Sequence, residues 1–367
     1  MAFTEQDFKM MSRAIELAKG GIYTTAPNPN VGCVIVNNGE VVGEGFHYRA
    51  GEPHAEVHAM RMAGSKTLGA TAYVTLEPCS HYGRTPPCAE GLIKAKVAKV
   101  ICAMQDPNPV VAGRGINMLR EAGIEVEVGL LEQDAMALNP AFIKKMKTGM
   151  PFVQLKMAAS LDGQTALSNG ESQWITSPEA RQDVQRFRAQ SGAILSTSRT
   201  VIDDNASLNV RWDDLPSSVQ ARYETEELRQ PVRVILDRKQ RLTPELKLFK
   251  ADGEIITVAP NGDVTPELDA NQQVDLGKTL ETLAKQYNIN HLWVEAGATL
   301  ASSLIKHRLV DELIIYLAPK IMGSDGRGLL GALGLQSMAE AIDLDIQDVR
   351  QVGRDIRIVA TLINKES

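Results

Sequence analysis

At 367 residues, 44% hydrophobic and 23% charged, the chain can bury a sizeable core and is long enough for two domains. A net charge of -6 with no dense run of Lys or Arg argues against a nucleic-acid partner, yet leaves room for a small phosphorylated ligand held by one or two arginines. No basic-then-apolar leader opens the chain and no apolar run reaches membrane-spanning length, so no membrane partner and a cytoplasmic location are expected.

Residues 4–20 predict an amphipathic helix, with Phe8, Met11, Ile15 and Ala18 on one face and Gly20-Gly21 as the stop. VGCVIV (31–36) and VVGEGF (41–46) flank Asn38-Gly39, a strong hairpin signal. A helix over 54–63, a strand at 71–76, a helix over 88–96, a strand at 99–104, a helix near 115–122 and a strand at 124–131 follow. This alternation implies a sheet covered by helices on both faces.

Gly149 and Pro151 mark a boundary, giving expected domains at 1–147 and 150–367. The pattern then restarts with strands at 152–159, 192–196, 232–237, 254–260, 291–297 and 312–319, and helices over 177–190 and near 278–287 and 298–307. The stretches 213–230 and 259–275, and SDGRG at 324–328, read as exposed loops. A second α/β domain follows.

The chemistry concentrates in PHAEVHA (53–59) and EPCSHYGRTPPC (77–88). Four cysteines in a chain of this size form no disulfide framework, so two that lie close together suggest metal or catalysis. A catalytic zinc takes three protein ligands and leaves a fourth position for water; His54, Cys79 and Cys88 supply that set. Both His54 and Cys88 fall at predicted helix starts, where free N–H groups favour negative charge. Glu56, two residues after His54, can accept the water's proton and pass it to a ring nitrogen. His-x-Glu followed by Pro-Cys-x-x-Cys is the signature of zinc base deaminases. Here eight residues separate the cysteines instead of two, pointing to one subfamily. A structural zinc would need a fourth protein ligand, for which His58 and His81 stand as candidates; Cys33 and Cys102 lie in apolar strands and read as core.

At these motifs the chain resembles a known family. TAPNPNVGCVIV, AGEPHAEVHA, TLEPCSHYGRTPPC and QDPNPVVAGRGI resemble the deaminase half of the bifunctional riboflavin-pathway enzymes, while KMAASLDGQTA, GESQWITS, ILSTSRTVIDDN and WVEAGATLASSL resemble the reductase half. The resemblance implies a cytidine-deaminase-like three-layer α/β/α domain followed by a dihydrofolate-reductase-like α/β domain. It implies one Zn2+ per chain and NADPH as cofactors, a small phosphorylated pyrimidine as substrate, and a homo-oligomer. The reactions implied are deamination of 2,5-diamino-6-ribosylamino-4(3H)-pyrimidinone 5′-phosphate, then reduction of the ribosyl group of 5-amino-6-(5-phosphoribosylamino)uracil to ribityl.

Carried over by motif, Asn28 holds the pyrimidine in the first half. In the second, Lys156, Ser172, Arg188, Leu208, Arg211 and Glu295 fall on the substrate side. Ala158, Trp174, Thr200, Asp204, Arg238 and the stretch Gly297, Ala298, Thr299, Leu300, Ala301, Ser302 and Ser303 fall on the cofactor side. Where the family usually has proline, this chain has Ala206, which predicts a slightly looser loop.

The residues alone say less about the second half. No G-x-G-x-x-G follows a strand, so the ordinary dinucleotide fingerprint is absent; WVEAGATLASS offers a strand end and a small-residue helix start able to seat phosphate. Arg188 and Arg211 are candidate phosphate clamps, and Lys156 on an apolar strand is placed more cheaply at a pocket than in a core. A nucleic-acid or nucleoside base deaminase with a non-catalytic accessory domain shares the zinc chemistry. The nucleic-acid form of that reading calls for a basic groove and stacking aromatics, which 5% aromatics and an acidic balance do not supply. A zinc-stabilised binding protein without catalysis is the alternative from another class, and it would leave Glu56 dispensable.

Overall fold

Asn38 and Gly39 both adopt positive φ, 49° and 83°, the backbone that a two-residue hairpin turn demands. They join β1 (Gly32–Asn37) to β2 (Glu40–Phe46). The computed structural model describes residues 3–82, 86–172 and 175–363, and the chain divides into two units, Met1–Gly149 and Met150–Ser367.

In the first unit, α1 (Glu5–Ala18) is opened by a capping box between Thr4 and Asp7. After the hairpin come α2 (Ala55–Ala63), β3 (Thr71–Val74), α3 (Cys88–Lys94), β4 (Lys99–Cys102), α4 (Arg114–Glu121), β5 (Glu125–Val128), α5 (Glu132–Ala137) and α6 (Pro140–Thr148). The sheet runs β2-β1-β3-β4-β5, with β1 antiparallel to both neighbours and β3, β4 and β5 parallel. Alternate residues divide between two cores. Cys33, Ile35, Ala72, Val74, Val100 and Cys102 meet α2, α3 and α4, while Val34, Val36, Tyr73 and Ile101 meet α1 and residues of α5 and α6. This is the expected α/β/α sandwich, and Cys33 and Cys102 are core residues, fully buried.

The helix that carries the site lies close to its sheet. A Cβ at Gly43 would stand 2.1 Å from the Ala59 carbonyl oxygen, and one at Gly45 would stand 2.6 Å from that of Ala55. Glycine in β2 therefore sets how near α2 can approach.

In the second unit, β6 (Phe152–Ser160) and β7 (Gln164–Ala166) precede α7 (Pro178–Gln190), β8 (Ala193–Thr197), α8 (Ser198–Asp204) and the single turn α9 (Ser217–Gln220). Then come β9 (Val232–Leu236), the turn α10 (Lys247–Lys250), β10 (Ile255–Val258), α11 (Leu276–Gln286), β11 (His291–Glu295), α12 (Ala298–Lys306), β12 (Glu312–Ala318), β13 (Arg327–Gly328), β14 (Leu344–Val352) and β15 (Asp355–Leu362). The main sheet runs β10-β9-β8-β11-β6-β12-β15-β14, parallel as far as β12 and antiparallel through β15 and β14. One face packs on α11 and α12 through Leu280, Leu283, Leu304 and Ile305. The other packs Ile194, Ile235, Trp293 and Tyr316 against Phe187 and Val201.

Several sequence expectations change. The strand expected over 124–131 stops at Val128, and Glu132–Ala137 turns into α5. The stretch 213–230 contains α9, whose Val219 is buried. Within 324–328, Arg327–Gly328 pairs with β7 rather than forming a plain loop. No element was expected beyond β12, yet β14 and β15 form a long hairpin that completes the sheet.

Candidate active sites

Three side chains reach one point from three places in the first unit. His54 is the N-cap of α2, on extended backbone (φ -75°, ψ 167°), which leaves its ring at the helix start. Cys79 follows the end of β3, and Cys88 is the first residue of α3. His54 Nδ1 lies 3.6 Å from Cys79 Sγ and 3.4 Å from Cys88 Sγ, and the three donor atoms lie within 4.8 Å of one another. A tetrahedral zinc with Zn–S of about 2.3 Å and Zn–N of about 2.0 Å separates such atoms by roughly 3.5 Å, so the donor set fits the ion. Among the described residues the group has three members; His58 and His81 are not in it. His58 instead packs edge-on against Tyr48 at 4.8 Å.

Cys79 is tuned by the groups around it. The Cys88 N–H donates to Cys79 Sγ at 3.3 Å, and the neighbouring Cys88 thiol, with His54, holds Cys79 well below the ordinary thiol range. Burial pushes Cys33 and Cys102 the other way, which suits inert core thiols.

Glu56 sits in the first turn of α2, only 3% exposed. Its Oε2 has no hydrogen-bond partner among the described residues, a costly state for a buried carboxylate unless a ligand or water meets it. Burial, with the charge of Cys79 second, pushes its carboxyl up to about 7. Asn28 is half-buried, and its Nδ2 lies 3.1 Å from His47 Nε2. His47 is a residue that the sequence expectations omit. It is 3% exposed, its Nδ1 faces the Pro53 carbonyl at 3.2 Å, and its ring stands edge-on to His54 at 5.4 Å.

The second unit gathers part of its expected set. Lys156 on β6 is register partner to Glu295 on β11. Arg188 grips Glu295 in a bidentate pair, Nε to Oε1 at 2.6 Å and Nη2 to Oε2 at 2.8 Å. The Trp293 indole donates to the same Oε1 at 2.8 Å. Arg188 Nη1 donates to the Asn209 carbonyl, beside the buried Leu208, so this guanidinium is engaged by protein on all three nitrogens. Arg211 is exposed, its backbone N–H held by Gln185 and its side chain paired with Asp214. Asp204 ends α8 within electrostatic reach of Lys156. Burial pulls the Lys156 ammonium below its usual value even with Glu295 beside it.

The cofactor-side positions are more scattered. Ala158 is half-buried, and the Thr200 N–H donates to Thr197 Oγ1 at 3.2 Å. Gly297 caps α12 with no side-chain acceptor, and Gly297 and Thr299 are exposed while Ala298 is half-buried, so the first-turn amides suit an anion. Leu300 and Ala301 turn into the core, Ser302 accepts the Gly331 N–H at 2.8 Å, and Ser303 is half-buried. The Arg238 guanidinium is taken up by the Gln272 carbonyl. Ser172 is exposed after β7, and Trp174 lies outside the described residues. At the position where a looser loop is expected, the Ala206 N–H donates to the Val201 carbonyl at 3.1 Å, a bond proline cannot make.

A three-donor zinc site with an adjacent buried carboxylate defines a deaminase of the cytidine-deaminase class, here joined to a dihydrofolate-reductase-like unit. Comparison with known proteins bears this out. Residues 4–104 match the model of the cytidine and deoxycytidylate deaminase zinc-binding region, and residues 151–358 match the RibD C-terminal domain. The riboflavin biosynthesis protein RibD of Haemophilus influenzae is 54% identical over 98% of this chain and 99% of its own length. That of Escherichia coli K12 is 53% identical over 96% and 98%. A solved structure of Acinetobacter baumannii RibD superposes with a TM-score of 0.92 at 48% identity, covering 98% of this chain and 99% of the other. The chain belongs to the RibD family: it is a bifunctional deaminase and reductase of riboflavin biosynthesis, with zinc and NADPH as its cofactors. An accessory-domain base deaminase is not favoured, since the match runs through both halves. Among the described residues no helix is long and apolar enough to cross a membrane.

The Glu295 network makes a pH prediction. Burial alone would raise this carboxyl, but Arg188 outweighs it and holds the group at about 2, against an ordinary 4.5. A folded value below the unfolded one contributes stability above pH 4.5 that is lost as pH falls towards 2. The stability gap between wild type and Glu295→Gln should therefore stay level from pH 7 to 5 and narrow by roughly 1 kcal/mol by pH 3.5. Urea unfolding across that range measures it; a gap independent of pH would contradict the assignment.

Proposed function

We propose that His54, Cys79 and Cys88 hold the zinc, that Glu56 moves the protons, and that the first unit deaminates 2,5-diamino-6-ribosylamino-4(3H)-pyrimidinone 5′-phosphate. The substrate assignment follows relatives such as the Thermotoga maritima protein, described as a diaminohydroxyphosphoribosylaminopyrimidine deaminase and 5-amino-6-(5-phosphoribosylamino)uracil reductase, 33% identical over 98% of this chain and 99% of its own, with a TM-score of 0.83. One observation carries the site: an unpartnered buried carboxylate oxygen beside three converging donors.

Zinc supplies the Lewis acidity that makes water nucleophilic near neutral pH. Glu56 takes the proton of the attacking water, delivers it to the ring nitrogen, and then assists departure of ammonia. A carboxyl raised to about 7 can both hold and release a proton near neutrality. His47 sets the orientation of Asn28. Burial lowers its pKa and keeps it neutral, and because the Pro53 carbonyl can only accept, Nδ1 carries the hydrogen. Nε2 then accepts from Asn28 Nδ2, which turns Asn28 Oδ1 towards a donor on the pyrimidine.

In the second unit, 150–367, NADPH supplies hydride for reduction of the ribosyl group. Glu295, locked by Arg188 and Trp293, and Lys156 beside it form the fixed floor of the substrate site. Arg211, the more exposed of the two arginines, offers itself to the substrate phosphate, and Ser172 and Leu208 complete that side. The free first-turn amides of α12, from Ala298 to Leu300, seat a cofactor phosphate; the rest of Gly297–Ser303 and Ala158, Thr200, Asp204 and Arg238 are assigned to the same cofactor side, and Trp174, outside the described residues, is assigned there by the family motif.

The homo-oligomer is assigned to the free edge of β14. This strand is outermost in its sheet, nine residues long, with Ile346 58% and Val349 59% exposed, and such an edge invites pairing with another copy. Val349→Pro should shift the mass measured by light scattering from oligomer to monomer; an unchanged mass would place the interface elsewhere.

Glu56→Gln should cut ammonia release by at least about 100-fold while zinc stays near one per chain and NADPH oxidation with the deaminated substrate is unaffected. Turnover kept within a few-fold of wild type would remove Glu56 from the chemistry.

A further inference from the structure

Cys79 has no helix of its own to fix it, since it lies on irregular backbone between β3 and α3. Two residues earlier, Glu77 is 6% exposed, and its carboxylate accepts four main-chain N–H groups. Oε2 takes those of Asp106 at 3.0 Å and Gly113 at 2.9 Å. Oε1 takes those of Gly115 at 2.8 Å and Ile116 at 3.3 Å. Gly113 is the N-cap of α4 and offers no side-chain cap, so Glu77 caps that helix from a distant part of the chain.

The contact is tight on the Cys79 side as well. A Cβ at Gly115 would stand 2.0 Å from the Pro78 carbonyl oxygen, so α4 begins flush against the peptide that leads into Cys79. The Glu77 N–H donates to Met104 at 3.0 Å, and the Cys79 carbonyl accepts from Ala89 at 3.2 Å. The segment 77–79 is thus clamped on one side by α4 and on the other by the first turn of α3, which carries Cys88.

We propose that Glu77 is a positioning residue for the zinc site: through the start of α4 it fixes the backbone that presents Cys79 to the metal. This rests on the assignment of His54, Cys79 and Cys88 as ligands. Carboxylate is the required group, because four N–H donors converge on two oxygens. In Glu77→Gln one oxygen becomes an NH2 facing two donors, so those amides lose their acceptor while the volume is kept.

The test uses full-length holoenzyme. Zinc at one per chain in wild type, lost in Cys79→Ala, establishes the ligand set first; its failure would sink that assignment and this proposal with it, whereas the comparison that follows can fail with the ligand set intact and then sinks the Glu77 proposal alone. The rate of zinc transfer to a colorimetric chelator is then compared. Glu77→Gln should release zinc at least tenfold faster and lose kcat for deamination more than it changes KM, with NADPH oxidation unaltered. Met11→Ala, which opens a cavity on the opposite face of the sheet, serves as control; it should lower Tm yet release zinc within twofold of wild type. If Glu77→Gln also releases zinc within twofold of wild type, or if Met11→Ala accelerates release as much, Glu77 is only a helix cap. Should the Gln variant not fold, linkage gives the same test on wild type: zinc removal should speed amide hydrogen exchange at Gly115 and Ile116 at least tenfold. No change there would overturn the proposal.

Discussion

On the proposed ligand set, donor atoms from His54, Cys79 and Cys88 must converge within one coordination sphere, and the three lie within 4.8 Å of one another. Two of them, His54 and Cys88, stand at helix starts, and the Cys88 N–H donates to Cys79 Sγ, which favours the thiolate there. The third stands on a loop that needs outside support, and the Glu77 carboxylate and the α3 amides supply it. Glycines in β2 let α2, which carries Glu56 and is capped by His54, lie close to the sheet. Burial then gives Glu56 its raised pKa. One set of packing constraints thus underlies both the proposed metal site and the proposed proton carrier.

The two units solve different problems. The first gathers an imidazole, two thiols and a buried carboxyl, groups that are expensive to bury singly when charged. The second uses an eight-stranded sheet whose C-terminal edge positions Glu295 next to Lys156, and it fixes that carboxylate with a bidentate arginine and an indole. It carries no glycine fingerprint, and the bare amino end of α12 is the phosphate seat proposed for its cofactor.

Most of the first unit was legible in the sequence because its signals are local. Asn38-Gly39, the residues that start α2 and α3, and the alternation in β1, β3 and β4 each lie within a few positions of what they determine. What was not legible is non-local. His47 stands alone in its segment and acquires a role only when the fold brings Asn28 and Pro53 to it. Glu77 reaches amides 29 to 39 residues away, a distance no motif encodes. The C-terminal hairpin is a different case. The stretches at 344–352 and 356–362 carry partial period-two alternation around Gly353, whose φ of 60° makes the turn, so the signal was present but weakened by exposure of apolar residues on β14. In the second unit, the sequence offers Arg188 as a candidate phosphate clamp, while its bidentate hold on Glu295 was not legible, since that pair spans 107 positions.

On the proposed assignment, one imidazole nitrogen and two sulfurs would hold the metal and leave a fourth position open to water. X-ray absorption at the zinc edge of the purified protein tests it directly. Two sulfurs at about 2.3 Å and two nitrogen or oxygen scatterers at about 2.0–2.1 Å, one of them lost to an added competing anion, are predicted. A shell closed by a third protein sulfur or a second imidazole, unmoved by competitors, would contradict it.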